Sequence, residues 1–160
     1  MKKLIKNIIF KIVKSISGTK LGELLFKQII QEVLTRTKTV KHNGCIMKFT
    51  VSNWLTQYRA DSFSNKEPET LSWIDQLLEN SVLWDIGANV GLYSIYAAKT
   101  RNCKVYSFEP SVFNLELLSR NIYVNDLQHK IVIVPIALSN TCSENLFRMS
   151  STQWGGALST

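Results

Sequence analysis

A chain of 160 residues and 18.2 kDa has room for one ordinary domain, which at that size buries roughly 68–70% of its unfolded surface. With 45% hydrophobic and 19% charged residues, seven Gly and three Pro, it falls outside the disordered, collagen-like and Pro-rich classes, and no apolar run is long enough to suggest a membrane span. The net charge of +7 is unevenly held: residues 1–41 carry ten Lys or Arg against two acids, and 42–160 carry nine against ten, so a nucleic-acid footprint across the whole protein is not expected.

The first predicted element is an amphipathic helix. Leu4, Ile5, Ile8, Ile9, Ile12, Val13 and Ile16 form one apolar stripe, lysines 2, 3, 6, 11 and 14 take the other faces, and Gly18 is a stop signal. Lysines 6, 11 and 14 interrupt any apolar core and no small-x-small cleavage site follows closely, so the stretch does not read as a secretory signal. A second helical pattern runs from Leu21 to Leu34. Together they make a basic arm, residues 1–37. Its stripe fits three partners: the body or another copy of the chain, an anionic membrane surface met by residues 1–17, or nucleic acid. On a membrane each Lys adds on the order of 1 kcal/mol. Nucleic acid is disfavoured because Phe10 is the lone aromatic among the lysines.

Residues 38–66 form the next region. Two short strands flank His42-Asn43-Gly44, since Asn-Gly between β-type residues is a strong hairpin signal. Trp54 to Asn65 reads as a polar connection bearing aromatics. The third region, 67–160, opens with Glu67-Pro68-Glu69-Thr70, a helix start that continues through Leu71, Trp73, Ile74, Leu77 and Leu78. Strands at Val82–Trp84, Cys103–Phe108 and Lys130–Val134 then alternate with helices at Leu92–Lys99 and Phe113–Val124. That alternation predicts an α/β fold with a parallel sheet.

The chemistry is concentrated in Val82 to Gly91 and Glu109. A Gly-bearing turn between strand and helix lets a ligand approach bare backbone at a helix N-terminus. An acid ending the next strand is placed to accept ribose hydroxyls. The dinucleotide fingerprint needs glycines at 87, 89 and 92, and this chain has Gly87, Asn89 and Leu92. Asp85 would repel a pyrophosphate but suits an ammonium and a sulfonium. These residues imply S-adenosylmethionine as cofactor and argue against a nicotinamide.

Trp84-Asp85-Ile86-Gly87-Ala88-Asn89-Val90-Gly91-Leu92-Tyr93-Ser94 resembles the first motif of the FkbM family of S-adenosylmethionine-dependent methyltransferases. Val105 to Pro110 resembles its second motif, with Asn114, Leu118, Asn121 and Asn125 matching the following helix, and Ile133 to Ser139 resembles its third. The resemblance covers roughly residues 67–160 and implies a Rossmann-like class I methyltransferase sheet. By it, Asp85 would anchor the methionine ammonium. Gly87, Ala88, Asn89 and Gly91 would form the turn under the amino acid and ribose, Glu109 would hold the ribose hydroxyls, and Ile136 and Ala137 would lie near the adenine. The implied reaction is methyl transfer, O-directed, to a saccharide, glycolipid precursor or other small metabolite. Where the family has Asn-Gly, this chain has Asn125-Asp126.

The 79 residues from Val82 to Thr160 hold about half of a seven-stranded sheet, at about 30 residues per βαβ unit. The family's later Asp-x-Glu-Gly motif is absent, Ala157-Leu158-Ser159-Thr160 reads as an interruption, and a half sheet would expose an apolar strand edge. The expectation is the N-terminal, cofactor-binding half of an enzyme, with no catalytic base assignable. Cys45, Cys103 and Cys142 are too far apart for a disulfide framework or zinc site, so no metal is expected. They read as small buried hydrophobes in a reducing, cytoplasmic setting, at most peripheral to a membrane. His129 reads as an exposed loop residue, and Trp54, Tyr58 and Trp73 as buried aromatics. Trp154-Gly155-Gly156 is either a mobile loop over the site or simply the end of the chain.

Overall fold

The computed structural model describes residues 2–141, 143, 146–149 and 151–156. Cys142 and the Ala157–Thr160 tail, both singled out above, lie outside these residues. The chain divides into two compact units, Met1–Arg36 and Thr37–Thr160.

The first unit is a pair of helices, α1 (Lys2–Ser17) and α2 (Lys20–Thr35). The Thr19 hydroxyl caps α2 by accepting from the Gly22 N–H at 3.0 Å. A Cβ at Gly22 would lie 1.8 Å from the Ile16 carbonyl oxygen, so only glycine lets this corner close. Gly22 is the one buried residue described in the pair; both apolar stripes are exposed.

The second unit begins with a hairpin of β1 (Thr37–His42) and β2 (Cys45–Thr50), paired antiparallel with His42 opposite Cys45. Asn43 and Gly44, at φ 44° and 76°, supply the two left-handed positions that the Asn-Gly pair predicts. The stretch expected as a connection is instead helical: α3 (Trp54–Asp61) and α4 (Phe63–Lys66) precede α5 (Pro68–Asp75). A capping box at Asn53 and Thr56 starts α3 and overrides its weak periodicity. The helix buries Thr56 and Ala60, which turns Trp54 and Tyr58 outward; α5 buries Leu71 and Ile74 and turns Trp73 outward. All three aromatics are exposed, not buried as expected.

The chain then runs β3 (Val82–Ile86), α6 (Leu92–Thr100), β4 (Lys104–Phe108), α7 (Val112–Val124) and β5 (Ile131–Val134). The strands form a parallel sheet in the order β3-β4-β5, with Leu83 beside Val105 and Val105 beside Ile131. The fold class is α/β, as the alternation of elements requires. One face of the sheet, carrying Leu83, Val105, Ser107 and Ile131, is buried. The other exposes Val82, Trp84 and Ile86 at about 60% each, so the uncovered apolar surface extends beyond a strand edge to a face.

Side chains on α7 and at its C-cap bind the hairpin. The Asn121 Oδ1 accepts from the Thr50 N–H at 2.7 Å while its Nδ2 donates to the Val90 carbonyl at 2.8 Å. Asn125 accepts from the Lys48 N–H and donates to the Lys48 carbonyl, at 3.0 and 2.7 Å. Two asparagines thus tie the hairpin, α7 and the turn after β3 into one body. Asp126 takes φ 59°, the left-handed conformation for which glycine is the natural choice.

Candidate functional site

The site is built around the turn from Gly87 to Gly91, between β3 and α6. Gly87, Asn89 and Gly91 all have left-handed φ, at 77°, 52° and 82°; Asn is among the few residues other than glycine that tolerate this. The N–H groups of Gly87 and Ala88 both donate to the Phe108 carbonyl, at 2.9 and 3.0 Å, which fastens the turn to the end of β4. A Cβ at Gly87 would meet nothing within 4 Å, whereas one at Gly91 would lie 2.4 Å from Leu118 Cδ1. Gly91 therefore serves the approach of α6 to α7, and Gly87 faces open space.

Glu109, only 3% exposed, follows β4 directly. Its Oε2 accepts from the Asn89 N–H at 2.8 Å, and its Oε1 accepts from the Ser111 N–H at 2.8 Å and the Asn114 Nδ2 at 3.4 Å. A buried carboxylate is tolerable when donors surround it in this way. Beside it the buried Oδ1 of Asn89 has no hydrogen-bond partner among the described residues. Glu109, Asn114, Ile136 and Ala137 line a cavity of about 350 Å³ on this side of the turn.

Asp85 occupies the other side, where Arg59, Glu67 and Tyr93 join it around a cavity of about 380 Å³. The Asp85 Oδ2 accepts from the Ser94 hydroxyl, which is also 2.6 Å from the Ser107 hydroxyl. Burial pushes the Asp85 carboxyl above its ordinary range, against the bonds from Ser94, and the charge of Glu109 adds to the rise. Burial likewise raises the Tyr93 phenol, with its hydrogen bond to Glu67 acting in the same direction. For Glu67 the raising effect of burial is outweighed by bonds from Lys66 and Tyr93 and by the charges of Lys66 and Arg59, so its carboxyl lies below the usual range. Among the described residues, the Arg59 guanidinium makes one hydrogen bond, from Nε to the Gly155 carbonyl at 2.6 Å.

The turn thus has an acid on each side and a cavity against each acid. Of the residues singled out in the sequence, Asp85 and Ala88 line the second cavity, Glu109, Ile136 and Ala137 the first, and Gly87 and Asn89 both. Gly91 belongs to the turn but lines neither. His129 is exposed before β5. Arg59 and Asn53 were not singled out, although the Asn53-x-x-Thr56 spacing was a usable sign of the helix that carries Arg59. Trp154-Gly155-Gly156 lies over the turn, held by donors from four residues. Asn53 Nδ2 reaches the Trp154 carbonyl at 3.0 Å, Arg59 the Gly155 carbonyl, and Asn89 and Asn114 the Gly156 carbonyl at 2.8 and 3.0 Å. Among the described residues no cluster of His, Cys, Asp or Glu could hold a metal ion.

No family model matches the chain. Over 69 residues it is 35% identical to the methyltransferase sdnD of Sordaria araneosa, a match covering 42% of this chain and 27% of that protein. The chain therefore spans little more than a quarter of that relative. Similar solved structures include the tRNA m1G37 methyltransferase of M. jannaschii, 26% identical with a TM-score of 0.43 over 61% of this chain and 28% of that one. M. jannaschii TYW2 in complex with AdoMet is 24% identical, with a TM-score of 0.44 over 61% and 42%. A precorrin-6y C5,15-methyltransferase of Geobacter metallireducens is 25% identical, with a TM-score of 0.40 over 44% and 37%. These likenesses are partial, and the α/β class stands on the strand order and register above.

Proposed function

From the two-acid turn we propose that this chain carries the cofactor-binding half of an S-adenosylmethionine-dependent methyltransferase of FkbM type, directed to the oxygen of a saccharide, glycolipid precursor or other small metabolite. The observation that carries the reading is the placement of Asp85 and Glu109 on opposite sides of the Gly87–Gly91 turn, each against its own cavity. An adenosine bearing a zwitterionic amino acid matches that layout. Its ribose hydroxyls would pair with Glu109, and its ammonium with Asp85, whose carboxyl burial pushes above its ordinary range. The open face of Gly87 leaves room for backbone contact. Ile136 and Ala137 flank the adenine, and Arg59 supplies the charge opposite to an amino-acid carboxylate. The sequence likeness to a methyltransferase supports the same reading.

Bound there, S-adenosylmethionine supplies a methyl group activated by a sulfonium. The protein's part is positional: an in-line displacement depends on distance and angle, and two anchored ends fix both. Glu67, ionised at neutral pH, offers an acceptor to a substrate hydroxyl on the Asp85 side. The test is incubation with methyl-labelled S-adenosylmethionine and a panel of saccharides and lipid-linked sugars. Saturable retention of the labelled cofactor by the chain is the expected result, with any transferred label on sugar oxygen. Label recovered in RNA, or on nitrogen of a small metabolite, overturns the acceptor class.

A further inference from the structure

The helix α1 has no part in this chemistry, and its surface has two properties that act together. Its sequence, KKLIKNIIFKIVKSIS, contains five lysines and no acid. At 3.6 residues per turn, Leu4, Ile5, Ile8, Ile9, Ile12 and Ile16 share one half of the helix circumference, while Lys3, Lys6, Lys11 and Lys14 lie on the other half, which Phe10 and Val13 also enter. The apolar half is open: Leu4 is 65% exposed and Ile16 42%. The neighbouring helix differs, because α2 carries Glu23 and Glu32 against Lys20 and Lys27, with Glu23 and Lys27 paired at 2.7 Å. The excess positive charge of the unit therefore belongs to the helix with the wide apolar stripe.

Charge selects among the surfaces that could cover that stripe. A second copy of α1 laid against it would add five like charges to five, which opposes self-association. Nucleic acid would satisfy the lysines and leave the isoleucines in water. An anionic bilayer surface satisfies both, with apolar side chains at the boundary of headgroup and acyl chain and lysines among the phosphates. At 1.5 Å per residue the helix is about 24 Å long, and among the described residues no helix is long and apolar enough to cross a membrane. We propose that α1 lies flat on an anionic lipid surface, independently of the cofactor site.

The test is co-sedimentation of the full 160-residue chain with vesicles of phosphatidylcholine alone or with phosphatidylserine, at low and physiological salt. Binding to the phosphatidylserine vesicles, weakened by salt and at least about tenfold weaker on phosphatidylcholine, is expected. Lys11→Gln with Lys14→Gln, on the polar face, should weaken it roughly thirtyfold. Ile8→Asp with Ile12→Asp should abolish it. Equal binding to both vesicles, or none to either, overturns the proposal. So does a dimer in sedimentation velocity that Ile8→Asp dissociates, or retention by RNA without vesicle binding.

Discussion

Glu109 and Asp85 flank one turn, yet the protein treats them in opposite ways. Glu109 is almost fully buried and compensated by the Asn89 and Ser111 N–H groups and the Asn114 amide. It is a structural member whose remaining lone pairs are held in a fixed direction. Among the described residues Asp85 receives bonds from the hydroxyl and the backbone N–H of Ser94 alone and sits near a second carboxylate, and burial lifts its affinity for a proton. A carboxylate left in that condition carries a standing cost that a cationic ligand would remove. Glu109 organises the turn, and Asp85 is the less fully compensated of the two acids.

Removing the two acids should therefore give opposite effects on stability. Glu109→Ala has the largest effect: it strands two N–H donors, each costing about 1–3 kcal/mol when buried and unpaired. Urea denaturation should show a loss of several kcal/mol together with lost S-adenosylhomocysteine binding; an unchanged midpoint would break the contrast. Asp85→Asn keeps an acceptor for Ser94 but removes the charge. Calorimetric titration should give a loss of about 1.5–3 kcal/mol in affinity, roughly ten- to a hundredfold, with a thermal midpoint equal to or above that of the parent. A clear drop in that midpoint would show that Asp85 is structural as well.

The same asymmetry predicts a pH signature. A carboxyl whose folded pKa lies above its unfolded value makes the folded chain bind the proton more tightly, so the unliganded protein gains stability as pH falls through that window and loses it as pH rises. Ligand affinity runs the other way, falling as Asp85 is protonated at a pH above the ordinary carboxylate range. Asp85→Asn should flatten both dependences, which titrations across the acid range would check.

Smaller effects sharpen the picture. Arg59→Ala should weaken S-adenosylhomocysteine by about tenfold, the scale of one charged hydrogen bond, and leave methylthioadenosine, which lacks the carboxylate, nearly unchanged. Equal losses for both ligands would assign Arg59 only to holding Gly155. Asp126→Gly relieves a left-handed aspartate and should raise stability by at most about 1 kcal/mol in thermal unfolding.

The turn was legible because its constraints are local. Left-handed positions select glycine or asparagine within five residues, and apolar runs mark the strands on either side. Arg59 was not legible in the same way, and the Trp154–Gly156 segment was legible only as one of two readings, a loop over the site or the end of the chain. The bond from Arg59 to Gly155 joins residues 96 apart, and that from Asn53 to Trp154 joins residues 101 apart, so no local pattern announces either. Helix α3 lay between these cases: its capping box is local, but a helix that buries only Thr56 and Ala60 leaves almost no apolar period to read.

The central claim is that this turn holds an adenosine carrying a zwitterionic amino acid, and isothermal titration of the intact chain with S-adenosylhomocysteine, with NAD as control, tests it most directly. Saturable one-site binding of S-adenosylhomocysteine and none of NAD is the predicted result. Binding of NAD, or no binding of S-adenosylhomocysteine by a chain whose circular dichroism shows it folded, would contradict it.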